Sequence, residues 1–505
     1  MKKLLFFIIL SLSVSVFAQN DFKIKAFHVD NRIQVMPMPE LKDLAANLHA
    51  LGINTIIMEW EGSFPFTENG IISNRYAYTK EEVKDFIRYC EGLDIDVIPL
   101  QQCLGHLEYI LKFERYASLR EDPIEVSQVC PLKKEEVREL YSSLITELIE
   151  LHPSKYIHIG GDEAYLLGHC SECQAFVNEH GKSELFADYI QMITELVIEK
   201  GKIPVLWADI IMKHPEALSK LPEQSVLINW NYGWDINHFG PHENIVNSGL
   251  ELWGALAIRS WPDNYFLTSW RTHFKNLEDF IPVARESNYA GIVMTSWSTS
   301  GLYTYLRETK RHIIEMYAIR HVYPLSGYKM SIEAYAEAIR PEEFNSHDFV
   351  TSYAIENFGM ESQDAEIFWE GLNVPDETIE GEKTSLNRNL PELYGDTKVF
   401  RDFLHKVKVR SNKKEFKHYR LMYDIRTFYI EGKIIQVETE HMDFTPENVS
   451  MQLGKLAALK KTGRKLDRKF KRLNKKSLYP ACIEEENFLR NREIEILYDQ
   501  LKKNK

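Results

Sequence analysis

The chain has 505 residues, with 61 basic against 74 acidic side chains (formal balance −13) and 44 % apolar residues. That composition excludes a disordered or fibrous protein and suits one large domain with a smaller one beside it. The acidic total also speaks against nucleic acid as a partner, because phosphate-backbone binding needs a basic face.

Lys2 and Lys3 precede the apolar run Leu4 to Leu10, which continues through Val14, Val16, Phe17 and Ala18. A charged start, a short apolar stretch and small residues near Ala18 read as a secretory signal peptide over residues 1–18, not as an anchor. Cleavage near Ala18 and export to the periplasm or the medium are the expectation, and no later segment is apolar enough to span a membrane.

Further along, short β-branched runs alternate with helical patterns, the rhythm of repeated βα units. The runs are Ile24 to Val29, Thr55 to Trp60, Asp96 to Gln102, Lys155 to Ile159, Pro204 to Ile210, Val226 to Tyr232, Glu251 to Ala257 and Gly291 to Trp297. Amphipathic segments with 3.6-residue spacing lie between them, most clearly Glu40 to Leu51, Glu81 to Leu93, Lys133 to Leu151, Ser183 to Lys200 and Leu277 to Glu286. Eight strands with helices between them predict an α/β protein, a (β/α)8 TIM barrel over residues 22–320. A doubly wound open sheet is the competitor, but no G-x-G-x-x-G follows an early strand. From Arg307 onward the periodicity is helical, so an α-helical C-terminal region is expected over 321–505. It carries a basic stretch from Lys455 to Lys476, read as a solvated helix face, with Glu484, Glu485 and Glu486 placed to pair with it in a hairpin.

The cysteines Cys90, Cys103, Cys130, Cys170, Cys173 and Cys482 are too few for a disulfide scaffold. Cys170-Ser171-Glu172-Cys173 is a C-x-x-C that could ligate zinc, form a local disulfide or remain two thiols. A zinc site needs further ligands, and Cys130 and His169 are the companions in sequence.

In a barrel, chemistry gathers where the strands end and the βα loops begin. The strongest signal there is His158-Ile159-Gly160-Gly161-Asp162-Glu163-Ala164 at the end of strand four. Neighbouring acids point to opposite faces of a regular strand. The Gly-Gly pair frees the backbone so that both carboxylates can enter one pocket. Most glycosidases use two separated carboxylates, but in substrate-assisted ones the carbonyl oxygen of the sugar's own 2-acetamido group is the nucleophile. Such an enzyme needs one acid for the glycosidic oxygen and a second to orient the acetamide, jobs that suit Glu163 and Asp162 respectively. The charge of Asp162 and burial under aromatic walls are expected to raise the Glu163 pKa.

The heptad His158 to Ala164 resembles the signature of glycoside hydrolase family 20, the β-N-acetylhexosaminidases. Phe27-His28-Val29-Asp30, Glu59-Trp60-Glu61 with Phe64-Pro65-Phe66, Val97-Ile98-Pro99-Leu100 before Gly105-His106-Leu107-Glu108, and Leu151-His152-Pro153 resemble its hexosaminidase D-like branch. The match runs from Lys25 to Tyr305. The resemblance implies exo-acting, retaining cleavage of terminal β-linked GlcNAc or GalNAc from a glycan, with Asp162 and Glu163 catalytic and no organic cofactor or catalytic metal. It also implies that Trp207, Trp230 and Trp297 wall the acetamide pocket, and it places His106 close to the acid pair. Asp209 is assigned to a sugar hydroxyl or to support of the acids, and Tyr232 to the acetamide carbonyl, with Tyr265 and Tyr303 competing for that task.

Two positions depart from the family pattern. The arginine that forks onto the sugar's 3- and 4-hydroxyls aligns with Lys25, and the glutamate two residues past the last Trp aligns with Thr299. Glu59, Glu61 or Asp263 are the expected substitutes. The alternatives are a two-carboxylate glycosidase using Glu163 with Glu59 or Glu61, and a non-catalytic glycan-binding barrel.

Overall fold

Eight short parallel strands close on themselves in sequence order: β1 (Ile24–Asp30), β2 (Thr55–Glu59), β3 (Asp96–Leu100), β4 (Tyr156–His158), β5 (Ile203–Trp207), β6 (Val226–Trp230), β7 (Glu251–Arg259) and β8 (Gly291–Ser296). The barrel shuts where Ile24 to Phe27 of β1 pair with Gly291 to Met294 of β8. The computed structural model describes residues 21–260, 267–299, 322–374 and 377–503, and the backbone of Tyr303–Leu306 and Glu315–Ala318. The expected signal segment 1–18 with its expected cleavage near Ala18, Asp263, Tyr265 and the Tyr303 side chain lie outside the described residues.

The strands are buried on both faces and read as near-continuous apolar runs. Ala26, Ile57, Ile98, Val205, Ile228, Ala255 and Val293 fill the barrel interior. A second, larger cluster lies between the strands and the surrounding helices and includes Phe27, Ile56, Val97, Ile157 and Leu206. Helix Lys80–Glu91 shows how local chemistry sets an element's start. Thr79 accepts the Glu82 amide while the Glu82 carboxylate accepts the Thr79 amide at 2.8 Å, a capping box.

The expected strand positions hold, but β2 to β6 and β8 stop short of their expected C-terminal ends, while β1 and β7 run longer. The helix expected over Leu277 to Glu286 starts earlier, at Trp270, and one not anticipated, Ser171–His180, begins at the C-x-x-C.

Beyond the barrel the chain is mainly helical, ending in the long helices Lys413–His441, Pro446–Asn474 and Pro480–Lys503. Two antiparallel strand pairs interrupt this pattern, Tyr303–Leu306 with Glu315–Ala318 and Ile379–Glu380 with Lys383–Thr384. Glu485 and Glu486 turn toward the barrel, not toward the basic helix. Glu485 pairs with Arg75 and accepts from the Tyr76 hydroxyl at 2.8 Å, and Glu486 accepts from Gln34 Nε2 at 2.9 Å. The basic helix answers other acids: Lys469 meets Asp424 at 2.7 Å, and Lys455 meets Glu438 at 2.5 Å. Tyr335 fastens the helical region to the barrel by donating toward Ala26 O and Ile292 O, each at 3.0 Å. Among the described residues no helix is long and apolar enough to cross a membrane.

Candidate active site

The site forms at the C-terminal rim because β4 ends early and two glycines then carry the chain where L-residues rarely go. Gly160 and Gly161 have φ of +66° and +88°. A Cβ on Gly160 would fall 1.8 Å from Gln102 Oε1, so only glycine lets the strand end pass the β3 loop. The strain continues into side-chain-bearing residues, since Glu163 (φ +47°) and His106 (φ +56°) are also left-handed. Such conformations persist where the surroundings over-determine them, commonly at functional sites.

This backbone course brings Asp162, Glu163 and His106 together. His106 Nε2 lies 3.4 Å from Asp162 Oδ2 and 3.2 Å from Glu163 Oε2. Burial opposes a charge on His106, but the two carboxylates outweigh it and hold the imidazolium well above its ordinary range. Burial alone would raise Glu163. The His106 contact and a 2.8 Å hydrogen bond from the Tyr165 hydroxyl overcome that and lower it. The expected upward shift of Glu163 is therefore reversed in the ligand-free protein, because a cation stands between the two acids. The other Asp162 oxygen, Oδ1, is buried without a hydrogen-bond partner among the described residues.

Trp207 and Trp297 stand 5.9 Å apart at the top of the barrel interior, and among the described residues Trp207 Nε1 has no hydrogen-bond partner. Trp297 donates its indole N–H to the Tyr232 hydroxyl at 2.8 Å, which fixes both rings on one wall. Trp230 donates to Asp209 Oδ1 at 3.3 Å and packs on Tyr232, Trp234 and Phe239. Asp209 also accepts the Glu163 amide on Oδ2 at 3.3 Å. With both oxygens engaged and the side chain buried, Asp209 stands as a support for the acid loop, and burial with nearby Asp162 pushes its pKa up. His158 accepts the Gly160 amide on Nδ1 at 3.0 Å, so its ring proton sits on Nε2. Two further indoles expected at the rim lie elsewhere. Trp60 is in the outer core, bonded to His152 at 3.0 Å, and Trp253 packs on Tyr156 near the start of β7.

Another arginine stands at the rim, away from Lys25. Lys25 lies early in β1, at the opposite end of the barrel, and pairs with Asp21 at 2.9 Å. Arg32, just past the end of β1, places its guanidinium 5.1 Å from the Trp297 ring centre and forks onto Asp30 at 2.9 and 3.1 Å. Sequence reasoning did not single out Arg32, which sits in the loop two positions beyond the end of β1. Thr299 is buried, and its carbonyl lies 3.5 Å from Arg32 Nη2. Glu59 is fully buried between His28 (3.1 Å) and Gln102 (3.2 Å). Glu61 is buried nearby, and burial pushes its carboxyl well above the usual range despite Arg32.

A closed barrel whose rim assembles paired acids, a histidine and an indole wall is a carbohydrate-processing architecture. Residues 29–296 match the family model "Glycosyl hydrolase family 20, catalytic domain". The chain belongs to that family and is a glycoside hydrolase. It is similar to Hexosaminidase D of Bos taurus, with 28 % identity over 274 residues (51 % of this chain, 79 % of that protein). It is also similar to Hexosaminidase D of Homo sapiens, with 26 % identity over 306 residues (57 % and 62 %). Among solved structures, a β-N-acetylhexosaminidase from Bacteroides fragilis NCTC 9343 shares the fold, with TM-score 0.50, 20 % identity and coverage of 70 % of this chain and 71 % of that one.

Proposed function

We propose that the protein is an exo-acting, retaining β-N-acetylhexosaminidase that removes terminal β-linked GlcNAc or GalNAc by substrate-assisted catalysis. The observation that carries this reading is the placement of Asp162 and Glu163 on one histidine, with Asp162 Oδ1 buried and unpartnered beside the tryptophan wall. An acceptor in that position suits an acetamide N–H. Receiving it orients the acetamide carbonyl oxygen toward the anomeric carbon and offsets the positive charge of the oxazolinium ion that forms. Glu163 gives its proton to the departing glycosidic oxygen and then takes one from the water that opens the ring, so the configuration is retained. The Tyr232 hydroxyl accepts from Trp297, which leaves its own proton available for the acetamide carbonyl.

Resting Glu163 is held ionised by His106, so the two residues together share one catalytic proton. Desolvation on sugar binding favours the neutral pair, moving that proton onto Glu163. Arg32, above the Trp297 edge of the site, is the fork for the sugar's ring hydroxyls. A two-carboxylate mechanism is disfavoured because Glu59 is fully enclosed by His28 and Gln102, and burial holds the Glu61 carboxyl well above its usual range, toward a neutral form that is a poor nucleophile.

The test compares aryl 2-acetamido-β-glycosides with their 2-hydroxy counterparts and adds an oxazoline-mimicking inhibitor. The expected outcome is turnover of the acetamido sugars alone, with Asp162→Asn weakening the inhibitor. Equal turnover of both sugar types would overturn the mechanism.

A further inference from the structure

Behind the Glu163 loop, four side chains from three separate stretches converge outside the sugar site: Glu121, Cys130, Cys170 and Cys173. Their ligating atoms all lie within 4.8 Å of one another. Cys130 Sγ stands 3.8 Å from Cys170 Sγ and 3.5 Å from Cys173 Sγ, and Cys173 Sγ stands 3.4 Å from Glu121 Oε2.

These separations suit a tetrahedral metal. Two thiolates each about 2.3 Å from zinc stand about 3.8 Å apart, and a thiolate and a carboxylate oxygen at about 2.0 Å stand about 3.5 Å apart. We propose that Glu121, Cys130, Cys170 and Cys173 bind one zinc ion in a closed, structural site that staples the β3 loop to the β4 loop. All four positions come from protein, so the ion has no open place for water or substrate. Binding releases the thiol protons to solvent and forms three Zn–S bonds and one Zn–O bond.

The surroundings are built for this role. Glu121 Oε1 accepts the amides of His169 (2.6 Å) and Cys170 (2.8 Å), which turns Oε2 toward the sulfurs, as outer-shell bonds orient metal ligands. Cys170 caps helix Ser171–His180 and accepts the Cys173 amide, so the helix start itself sets the C-x-x-C geometry. His169, the companion suggested by sequence, points away to Asp122 at 3.0 Å. Glu121 takes the fourth place, and no spacing rule links it to the cysteines.

The staple matters because both loops carry the site described above. Leu107 N–H donates to Ser127 O at 2.9 Å beside His106, and Leu166 N–H donates to Gln128 Oε1 at 3.0 Å three residues past Glu163. Fixing Cys130 to Cys170 and Cys173 therefore holds His106 and Glu163 in register.

The full-length chain grown with zinc and purified without chelator should carry about one zinc per chain by elemental analysis. Cobalt(II) exchanged into the wild-type protein should give intense visible bands and thiolate-to-cobalt charge transfer. Cys130→Ser should lose the metal, and His169→Ala should keep it. The proposal is overturned if zinc-grown wild type holds less than about a tenth of an equivalent, if cobalt shows no thiolate bands, or if His169→Ala loses the ion. The cobalt spectrum is read on the wild type, so a variant that fails to fold does not blunt the test.

Discussion

The barrel mouth and the C-terminal helical region both bury carboxylates, and Asp424 and the acids around Glu163 show two ways of answering that burial. In the helical region Asp424 is surrounded by Arg401 (2.7 Å), His405 (2.9 Å) and Lys469 (2.7 Å). Burial would raise it, but those partners hold it well below the usual carboxylate range. At the mouth, acids outnumber the cations that face them. Asp30 shares Arg32 with Glu59, which lies 3.9 Å from it. Burial pushes Glu61 well up, and it lifts Glu108 to about 7 even though His106 opposes the shift. A scaffold acid is neutralised by fixed charges and keeps no proton to give. At the mouth Glu163 is also held low, but by His106, a partner that titrates and can pass its proton back, as acid–base chemistry requires.

The contrast can be broken at its strongest point with Glu163→Gln, which keeps shape but removes the movable proton. It should lower kcat/KM by about 10³-fold on substrates with poor leaving groups. Loss should be much smaller on an aryl glycoside whose leaving group needs no protonation, and a uniform loss across leaving groups would deny Glu163 the acid role. Asp424→Asn probes the other region. Because the three cations it would leave are partly open to water, removing the acid should cost about 1 kcal/mol of stability at neutral pH, with activity per folded molecule unchanged. Because the folded-state carboxyl lies below its ordinary 3.8, its stabilisation is present above that value and is lost as pH falls through the folded value. The gap between Asp424→Asn and wild type in urea unfolding should therefore close in acid. His106→Gln carries the smallest effect. In wild type the alkaline limb of kcat/KM should report loss of the proton shared by His106 and Glu163, and the raised His106 pKa should keep that limb high. Without the imidazole only Glu163 holds the proton, so the limb should move down by about one pH unit or more. An unmoved limb would show that His106 stores no catalytic proton.

Much of this was legible in the sequence because barrel strands are short, buried on both faces and recur at regular intervals. The acid pair was legible because Gly160 and Gly161 announce a backbone that side-chain-bearing residues cannot follow. Arg32 was not, because its position depends on the path of the loop after β1 and not on strand register. The downward shift of Glu163 was hidden for a related reason. It depends on His106 arriving from the β3 loop at 3.2 Å, a distance no periodicity encodes. Trp60 and Trp253 show the converse error, since an indole near a strand end in sequence can face the outer core or the far end of the barrel. Glu121 reaches the cysteines only through the folded β3 loop.

The most direct test of the central claim is a wild-type rate series on aryl glycosides whose N-acyl group carries none, one, two or three fluorines. Each fluorine weakens the carbonyl oxygen as a nucleophile and leaves the leaving group unchanged. A steep, progressive fall in kcat/KM along the series is the result expected when that oxygen attacks the anomeric carbon beside Asp162 and Glu163. A flat series would contradict substrate assistance and return the nucleophile to a protein carboxylate.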